Sequence, residues 1–129
     1  LRQKKAAYDN IQVVANSFIF DEIGKARGIK RIIHVFNKSE AELHTLPFYP
    51  HLLERKNVLL LGDSVGDLGM VEGFPYENLL KIGFLNDRMK ENLQMYQNQF
   101  DVIIPNDGNF YFVNKLLQDI LGNKKSPSI

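Results

Sequence analysis

The feature that most constrains the fold is a set of three short apolar runs in the second half of the chain. The runs are NVLLLGD (57–63), LLKIGFL (79–85) and FDVIIP (100–105). The first has no polar alternation, which is typical of a strand buried on both faces of a parallel sheet. Helical patterns follow the second and third runs, and each places its apolar residues on one face. The first helix presents Met89, Leu93, Tyr96 and Phe100, and the last presents Val113, Leu116, Leu117, Ile120 and Leu121. The order strand, helix, strand, helix predicts an α/β fold with a parallel sheet and crossover helices.

The first half of the chain carries a different pattern. Residues 11–36 contain two β-branched, apolar runs around the turn-like segment DEIGKARG, which predicts a long hairpin or two adjacent strands. Ser39 and Glu42 have the spacing of a helix capping box, and Pro47 and Pro50 interrupt the pattern that follows. We therefore expect two short helical pieces in residues 39–56.

Composition excludes several classes of function. The chain has 129 residues, enough for one domain, and contains no cysteine, so disulfides, thiolate metal sites and thiol nucleophiles are excluded. A net charge of +1 gives no bulk attraction to nucleic acid or to an anionic membrane. No apolar run approaches the roughly 20 residues that span a bilayer. The three histidines, His34, His44 and His51, lack zinc-site spacing, so we expect them to be structural or solvated.

The most informative short motif is the acidic turn GDSVGD, which follows the first apolar run directly. Asp63 and Asp67 are four residues apart, and Gly62 and Gly66 allow a tight turn that approaches a ligand closely. Ligands of open parallel sheets bind at the carboxyl ends of the strands, and carboxylates are preferred ligands of magnesium. Ser64 adds a hydroxyl beside them. The turn indicates a metal or phosphate site, and a turn capped by its own aspartates is the alternative.

Lys38 stands immediately before Ser39, the predicted N-cap of a helix. The N-terminus of a helix carries partial positive charge, which attracts anions and repels a lysine. A lysine at that position is favoured when a phosphate lies between the lysine and the helix N-terminus. The alternative is a solvated lysine in a loop. Asp107 follows the third apolar run in the same way, and we interpret it as the N-cap of the last helix.

Taken in order, four segments resemble a known family: ANSFIFDE, HVFNK, LLGDSVGDLGM and LLKIGFLND. Together they are similar to the cytosolic pyrimidine 5′-nucleotidase family of the haloacid dehalogenase-type phosphatase superfamily, over about residues 1–121. The resemblance implies a partial Rossmann-like parallel sheet of the haloacid dehalogenase type with a β-hairpin. It places the C-terminal half of that phosphatase core in residues 1–122, and we expect residues 123–129 to form a disordered tail.

The resemblance also implies roles for individual residues. Lys38 corresponds to the lysine that neutralises the phosphoryl group, and Asp63 to the carboxylate that binds Mg²⁺. Asp67 corresponds to the carboxylate that orients the metal shell and the lysine, and Ser64 to a nearby contact of the substrate. The implied reaction is magnesium-dependent hydrolysis of a nucleoside 5′-monophosphate, with a pyrimidine or 7-methylguanine base, through an aspartyl-phosphate in the cytoplasm.

The sequence departs from the family in three respects. The nucleophile of the family lies in an Asp-x-Asp-x-Thr motif, and this sequence contains no such motif. Asp21 falls in the segment that the family folds as a hairpin away from the chemistry, so it is not the predicted nucleophile. The serine motif that binds phosphate and the cap region that recognises the base are also absent. We therefore expect a chain that is inactive alone, either a fragment of a longer enzyme or a non-catalytic relative.

Two other classes of function follow from these departures. A phosphatase-like module without the nucleophile would serve as a non-catalytic interaction module. A half sheet that folds alone would leave an unpaired edge, which is an aggregation hazard, so the enzyme part is favoured over this module. The same edge leads us to expect association with a missing N-terminal half or with a second copy. A receiver-like signalling domain also combines acidic residues with a lysine. Receivers carry the acidic residues first, whereas Lys38 precedes Asp63 here, which disfavours that class.

Overall fold

The computed structural model describes residues 8–29 and 47–122. Backbone contacts divide the chain into two compact units. Within the described residues, the first unit comprises 8–29, 47–58 and 66–79, and the second comprises 59–65 and 80–122. No helix in these parts of the chain is long and apolar enough to span a membrane.

The first unit contains the predicted hairpin, in a shorter form. Strands β1 (Phe18–Phe20) and β2 (Ala26–Ile29) pair antiparallel, with Phe18 opposite Ile29. Residues 11–17 form no strand, although their β-branched composition predicted one. The remainder of the predicted pair, residues 30–36, lies outside the described residues. The hairpin is therefore confirmed between residues 18 and 29.

Two short helical elements complete the first unit. Helix α1 (Tyr49–Leu53) is the second of the two predicted helical pieces, and the first piece lies outside the described residues. Pro50 falls at the start of α1, where a missing amide donor costs no helical hydrogen bond. The exposed His51 lies in the same helix, as expected for a solvated histidine, and the other two histidines lie outside the described residues. A 3-10 helix covers Val65–Val71, and all of it except Val65 belongs to the first unit.

A three-stranded parallel sheet in the order β3-β4-β5 contains all three predicted strands. The α/β class predicted from the sequence, a parallel sheet with a β-hairpin, is confirmed. Helix α2 connects β4 to β5 and contacts β5, and helix α3 follows β5. The elements are β3 (Asn57–Gly62), β4 (Asn78–Leu85), α2 (Met89–Gln99), β5 (Val102–Pro105) and α3 (Tyr111–Ile120).

Hydrogen bonds at the start of the strand pair hold the register of β4 and β5. At the start, the amide of Lys81 donates to the Asp101 carboxylate at 2.8 Å, and the Asp101 amide donates to the Lys81 carbonyl at 2.9 Å. Four pairs follow, from Ile82 opposite Val102 to Leu85 opposite Pro105. These contacts fix the carboxyl ends of β4 and β5 relative to each other.

The core of the second unit is small, and the predicted helical faces are only partly buried. Its buried apolar side chains are Leu60, Ile82, Leu85, Tyr96, Phe100 and Val113. The predicted face of α2 is buried at Tyr96 and at Phe100, which directly follows the helix, whereas Met89 and Leu93 are exposed. In the last helix Val113 is buried, but Leu117, Ile120 and Leu121 are exposed. The periodicity predicts both helices correctly and overestimates how much of each face meets a partner.

Candidate functional site

The acidic turn begins where β3 ends. Gly62 is the last residue of β3 and is buried, and Asp63 follows it directly as an exposed residue of the second unit. This is the carboxyl end of a strand in a parallel sheet, the position at which ligands bind in this architecture. The structure therefore places Asp63 at the edge of the sheet that the sequence predicted.

The next residue, Ser64, belongs to the same unit and has a buried hydroxyl oxygen. Asp67 lies in the first turn of the 3-10 helix and belongs to the first unit. Its side chain is only 4% exposed, which makes it the one buried charged residue in the part of the chain that the structure describes. A carboxylate is costly to bury without partners, and Asp67 is not without one. Lys38 lies outside the described residues.

The main chain of Asp63 is anchored by a tyrosine from α2. The Tyr96 hydroxyl donates a hydrogen bond of 2.5 Å to the carbonyl oxygen of Asp63. Both residues belong to the second unit, and 33 positions separate them in sequence. The helical pattern predicts that Tyr96 is buried, but apolar periodicity contains no information on where a hydroxyl points. Sequence reasoning therefore missed this contact.

The ends of β4 and β5 carry unusual backbone conformations. Arg88, just after β4, and Asn106 and Asp107, just after β5, have φ values of 45°, 57° and 51°. They are the non-glycine residues with positive φ in the described ranges, and such residues concentrate where a turn or a site requires them. The prediction that Asp107 caps the last helix is wrong. In the left-handed conformation its backbone turns the chain before the helix begins, and the side chain of Asn109 accepts the amide of Tyr111 at 2.9 Å instead.

The acidic turn offers oxygen donors of the kind that magnesium binds. Magnesium prefers oxygen ligands and is usually bound through one or two carboxylates, with water and substrate phosphate completing the shell. An exposed Asp63 at the carboxyl edge of the sheet fits that requirement. No group of three or more His, Cys, Asp or Glu residues that could hold a metal occurs within residues 8–29 and 47–122. The described residues thus fit a site with few protein ligands and do not form a complete cage.

The chain has relatives among known proteins. A model of the pyrimidine 5′-nucleotidase (UMPH-1) family matches residues 1–121. The chain belongs to this family. It is 40% identical over 123 residues to the 7-methylguanosine phosphate-specific 5′-nucleotidase of Rattus norvegicus, and 41% identical over 123 residues to that of Homo sapiens. These alignments cover 94% of the chain but 41% of each relative.

The fold has a counterpart among solved structures. A crystal structure of cytosolic 5′-nucleotidase IIIB bound to cytidine matches with a TM-score of 0.80 and 32% sequence identity. The match covers 95% of this chain and 41% of that protein. The family resemblance predicted from the four sequence segments is thereby confirmed. The chain spans about two fifths of the length of the relatives it matches, so it contains part of the family fold.

Proposed function

We propose that this chain is the C-terminal part of a magnesium-dependent 5′-nucleotidase that hydrolyses nucleoside 5′-monophosphates. One observation carries the proposal: Asp63 directly follows a strand of a parallel sheet, in a chain that belongs to a nucleotidase family. The Rattus norvegicus and Homo sapiens relatives are named for 7-methylguanosine phosphate, and the family for pyrimidine nucleotides. We therefore propose one of these two classes of nucleotide as the substrate.

In this proposal each residue of the acidic and basic motifs has its own task. Asp63 binds the metal, and Lys38 neutralises the phosphoryl group of the substrate. Asp67 orients the metal shell and the lysine, and Ser64 contacts the substrate nearby. Magnesium, when bound, offsets the negative charge on the phosphoryl oxygens. These assignments rest on sequence position within the family motif, with Asp63 and Ser64 supported by their place at the end of β3.

The nucleophile must come from residues that this sequence does not contain. The sequence has no Asp-x-Asp-x-Thr motif, so the carboxylate that would form the aspartyl-phosphate belongs to another segment of a complete enzyme. We propose that residues 1–122 are the C-terminal half of the phosphatase core and that the chain alone releases no phosphate. A cytoplasmic location is also proposed, because the structural relative is named as a cytosolic enzyme.

The missing motif also favours a second candidate, a phosphatase-like interaction module that has lost catalysis. A full-length chimaera separates the two. In it, this chain replaces the 123 matched residues of the Rattus norvegicus relative, so that all other residues of that enzyme are present. Phosphate release from CMP, UMP and 7-methylguanosine monophosphate is then measured with and without Mg²⁺.

We expect the chimaera to release phosphate only with Mg²⁺. The Asp63→Asn chimaera should release phosphate more slowly by about 100-fold or more, because Asp63 would hold the magnesium that stabilises charge on the reacting phosphate. The isolated chain, assayed beside it, is expected to release none. A chimaera that is folded by circular dichroism but inactive on all three nucleotides would contradict the nucleotidase proposal and favour the interaction module. Equal rates for the chimaera and its Asp63→Asn variant would remove Asp63 from the mechanism.

A further inference from the structure

Tyr96 connects the core of the second unit to the acidic turn. Its side chain is 6% exposed, and its hydroxyl donates to the Asp63 carbonyl at 2.5 Å. A hydrogen bond to this carbonyl restrains the peptide group between Asp63 and Ser64. Because the side chain of Asp63 leaves the same residue, the restraint also limits the directions in which its carboxylate can point.

The tyrosine ring is itself held by two further residues. It stacks on Phe100 with ring centroids 5.1 Å apart and an interplanar angle of 28°. Phe100 in turn lies so close to Gly83 of β4 that a Cβ atom there would approach the Phe100 Cγ atom to 2.7 Å. Gly83, Phe100 and Tyr96 therefore form a packed series that ends at Asp63. A phenol held in this way keeps its hydroxyl in place without further loss of side-chain entropy.

We propose that Tyr96 is a positioning residue that sets the metal affinity of Asp63. The inference rests on the proposed function, in which Asp63 is the magnesium ligand. Groups that orient a metal ligand affect affinity strongly, and removing one typically weakens binding by about 10–100-fold. Tyr96 acts on the main chain of the ligand, so we expect an effect at the lower end of that range. Tyr96→Phe removes the hydroxyl but keeps the ring and its stacking on Phe100. This variant therefore isolates the contribution of the hydroxyl to metal affinity.

The experiment compares Tyr96→Phe with Tyr111→Phe in the full-length chimaera. Tyr111 carries the same hydroxyl on α3 and is 73% exposed, so its variant controls for the loss of a phenol group. Binding of Mn²⁺ alone is measured by electron paramagnetic resonance, without any turnover. The Mg²⁺ dependence of phosphate release gives the concentration at half-maximal rate and the kcat at saturating Mg²⁺. Thermal melting reports the stability of each variant.

We expect Tyr96→Phe to bind Mn²⁺ about tenfold more weakly than the parent chimaera, with kcat restored at saturating Mg²⁺. The Tyr111→Phe chimaera should match the parent in both. Unchanged Mn²⁺ affinity in Tyr96→Phe would overturn the inference, as would a loss of affinity that merely follows a loss of folded protein. Asp63→Asn is the last arm. If it binds Mn²⁺ as well as the parent, Asp63 is not the ligand and the inference fails. Phosphate release by the parent would still support the nucleotidase function in that case.

Discussion

Asp21 shows how one acidic residue can be assigned a structural role. Its carboxylate accepts the amides of Ile23 and Lys25, at 3.2 and 2.8 Å, within the turn between β1 and β2. The other carboxylate oxygen accepts from the Arg27 Nε atom at 2.7 Å. Arg27 is 64% exposed, so this ion pair contributes less than about 1 kcal/mol, and the two amide bonds matter more. Asp21 is therefore engaged in closing a hairpin turn, as a turn aspartate commonly is.

We expect Asp21→Ala to loosen the hairpin without affecting catalysis. In the isolated chain, hydrogen exchange at the Ile23 and Lys25 amides should accelerate by about fivefold, the equivalent of one lost hydrogen bond. Glu22→Ala, which removes the same charge from the exposed neighbouring residue, should leave both amides unchanged. In the full-length chimaera, Asp21→Ala should release phosphate at the parent rate. A folded but inactive variant would instead make Asp21 part of the chemistry.

At the residue scale, the sequence predicts the position of Asp63 in the fold, while the role of Asp63 as a metal ligand stays a prediction. Its place at the end of a strand could be predicted because the sequence shows an acidic residue directly after an apolar run. The contact of Tyr96 with Asp63 could not, since it joins residues 33 positions apart through a tertiary arrangement. The prediction that Asp107 is a helix N-cap was wrong because the backbone turns through two left-handed residues after β5. No sequence pattern distinguished that turn from a cap.

At the scale of elements, the parallel strands were predictable and the ends of the hairpin were not. The apolar run in β3 is short and ends at a glycine, and this length and flanking residue favour a strand over a buried helix. Residues 11–17 have a similar β-branched composition but form no strand in the structure. Strand propensity depends on a partner, and in the described residues β1 pairs only from Phe18 onward.

Gly83 provides the prediction that belongs to this scale, because it allows Phe100 to lie against β4. An added Cβ would meet the Phe100 ring at 2.7 Å, and the ring cannot move freely while it stacks on Tyr96. We expect Gly83→Ala to lower the free energy of unfolding by about 1–3 kcal/mol, the usual cost of overpacking. Urea denaturation of the isolated chain, followed by circular dichroism, measures the change.

The matched control for this substitution is Gly28→Ala, also in a strand, where a Cβ would meet nothing within 4 Å. Its free energy of unfolding should stay within about 0.5 kcal/mol of the parent, as for other substitutions in open space. Equal losses in the two variants would show that the close approach of Phe100 to β4 is unimportant. They would also remove the support that the packed series gives to Tyr96.

At the scale of the whole molecule, the described residues include more exposed than buried large apolar side chains. The described residues include seven buried hydrophobic side chains, and the exposed ones are concentrated in the hairpin segment and around α3. The exposed side chains of these two regions include Phe18, Phe20, Ile23, Tyr111, Ile120 and Leu121. Large apolar side chains exposed to water in such numbers favour association. The relatives of this chain have more than twice its matched length, so in them a larger fold is available to cover such surfaces.

We therefore expect the isolated chain to associate as its concentration rises, because burying exposed apolar surface is favourable by roughly 25 cal/mol per Å². Sedimentation velocity over a tenfold range of concentration should show the mean mass increasing. The double variant Phe18→Ser, Phe20→Ser removes two neighbouring rings, 6.2 Å apart, from one face of the hairpin and should reduce that increase. In the full-length chimaera, where additional chain is present to cover apolar surface, the same double variant should change the association much less.

A monodisperse isolated chain at all concentrations would show that these side chains are tolerated in water. If the double variant associates as the parent does, the exposed side chains around α3, and not those of the hairpin, would be the cause of the association.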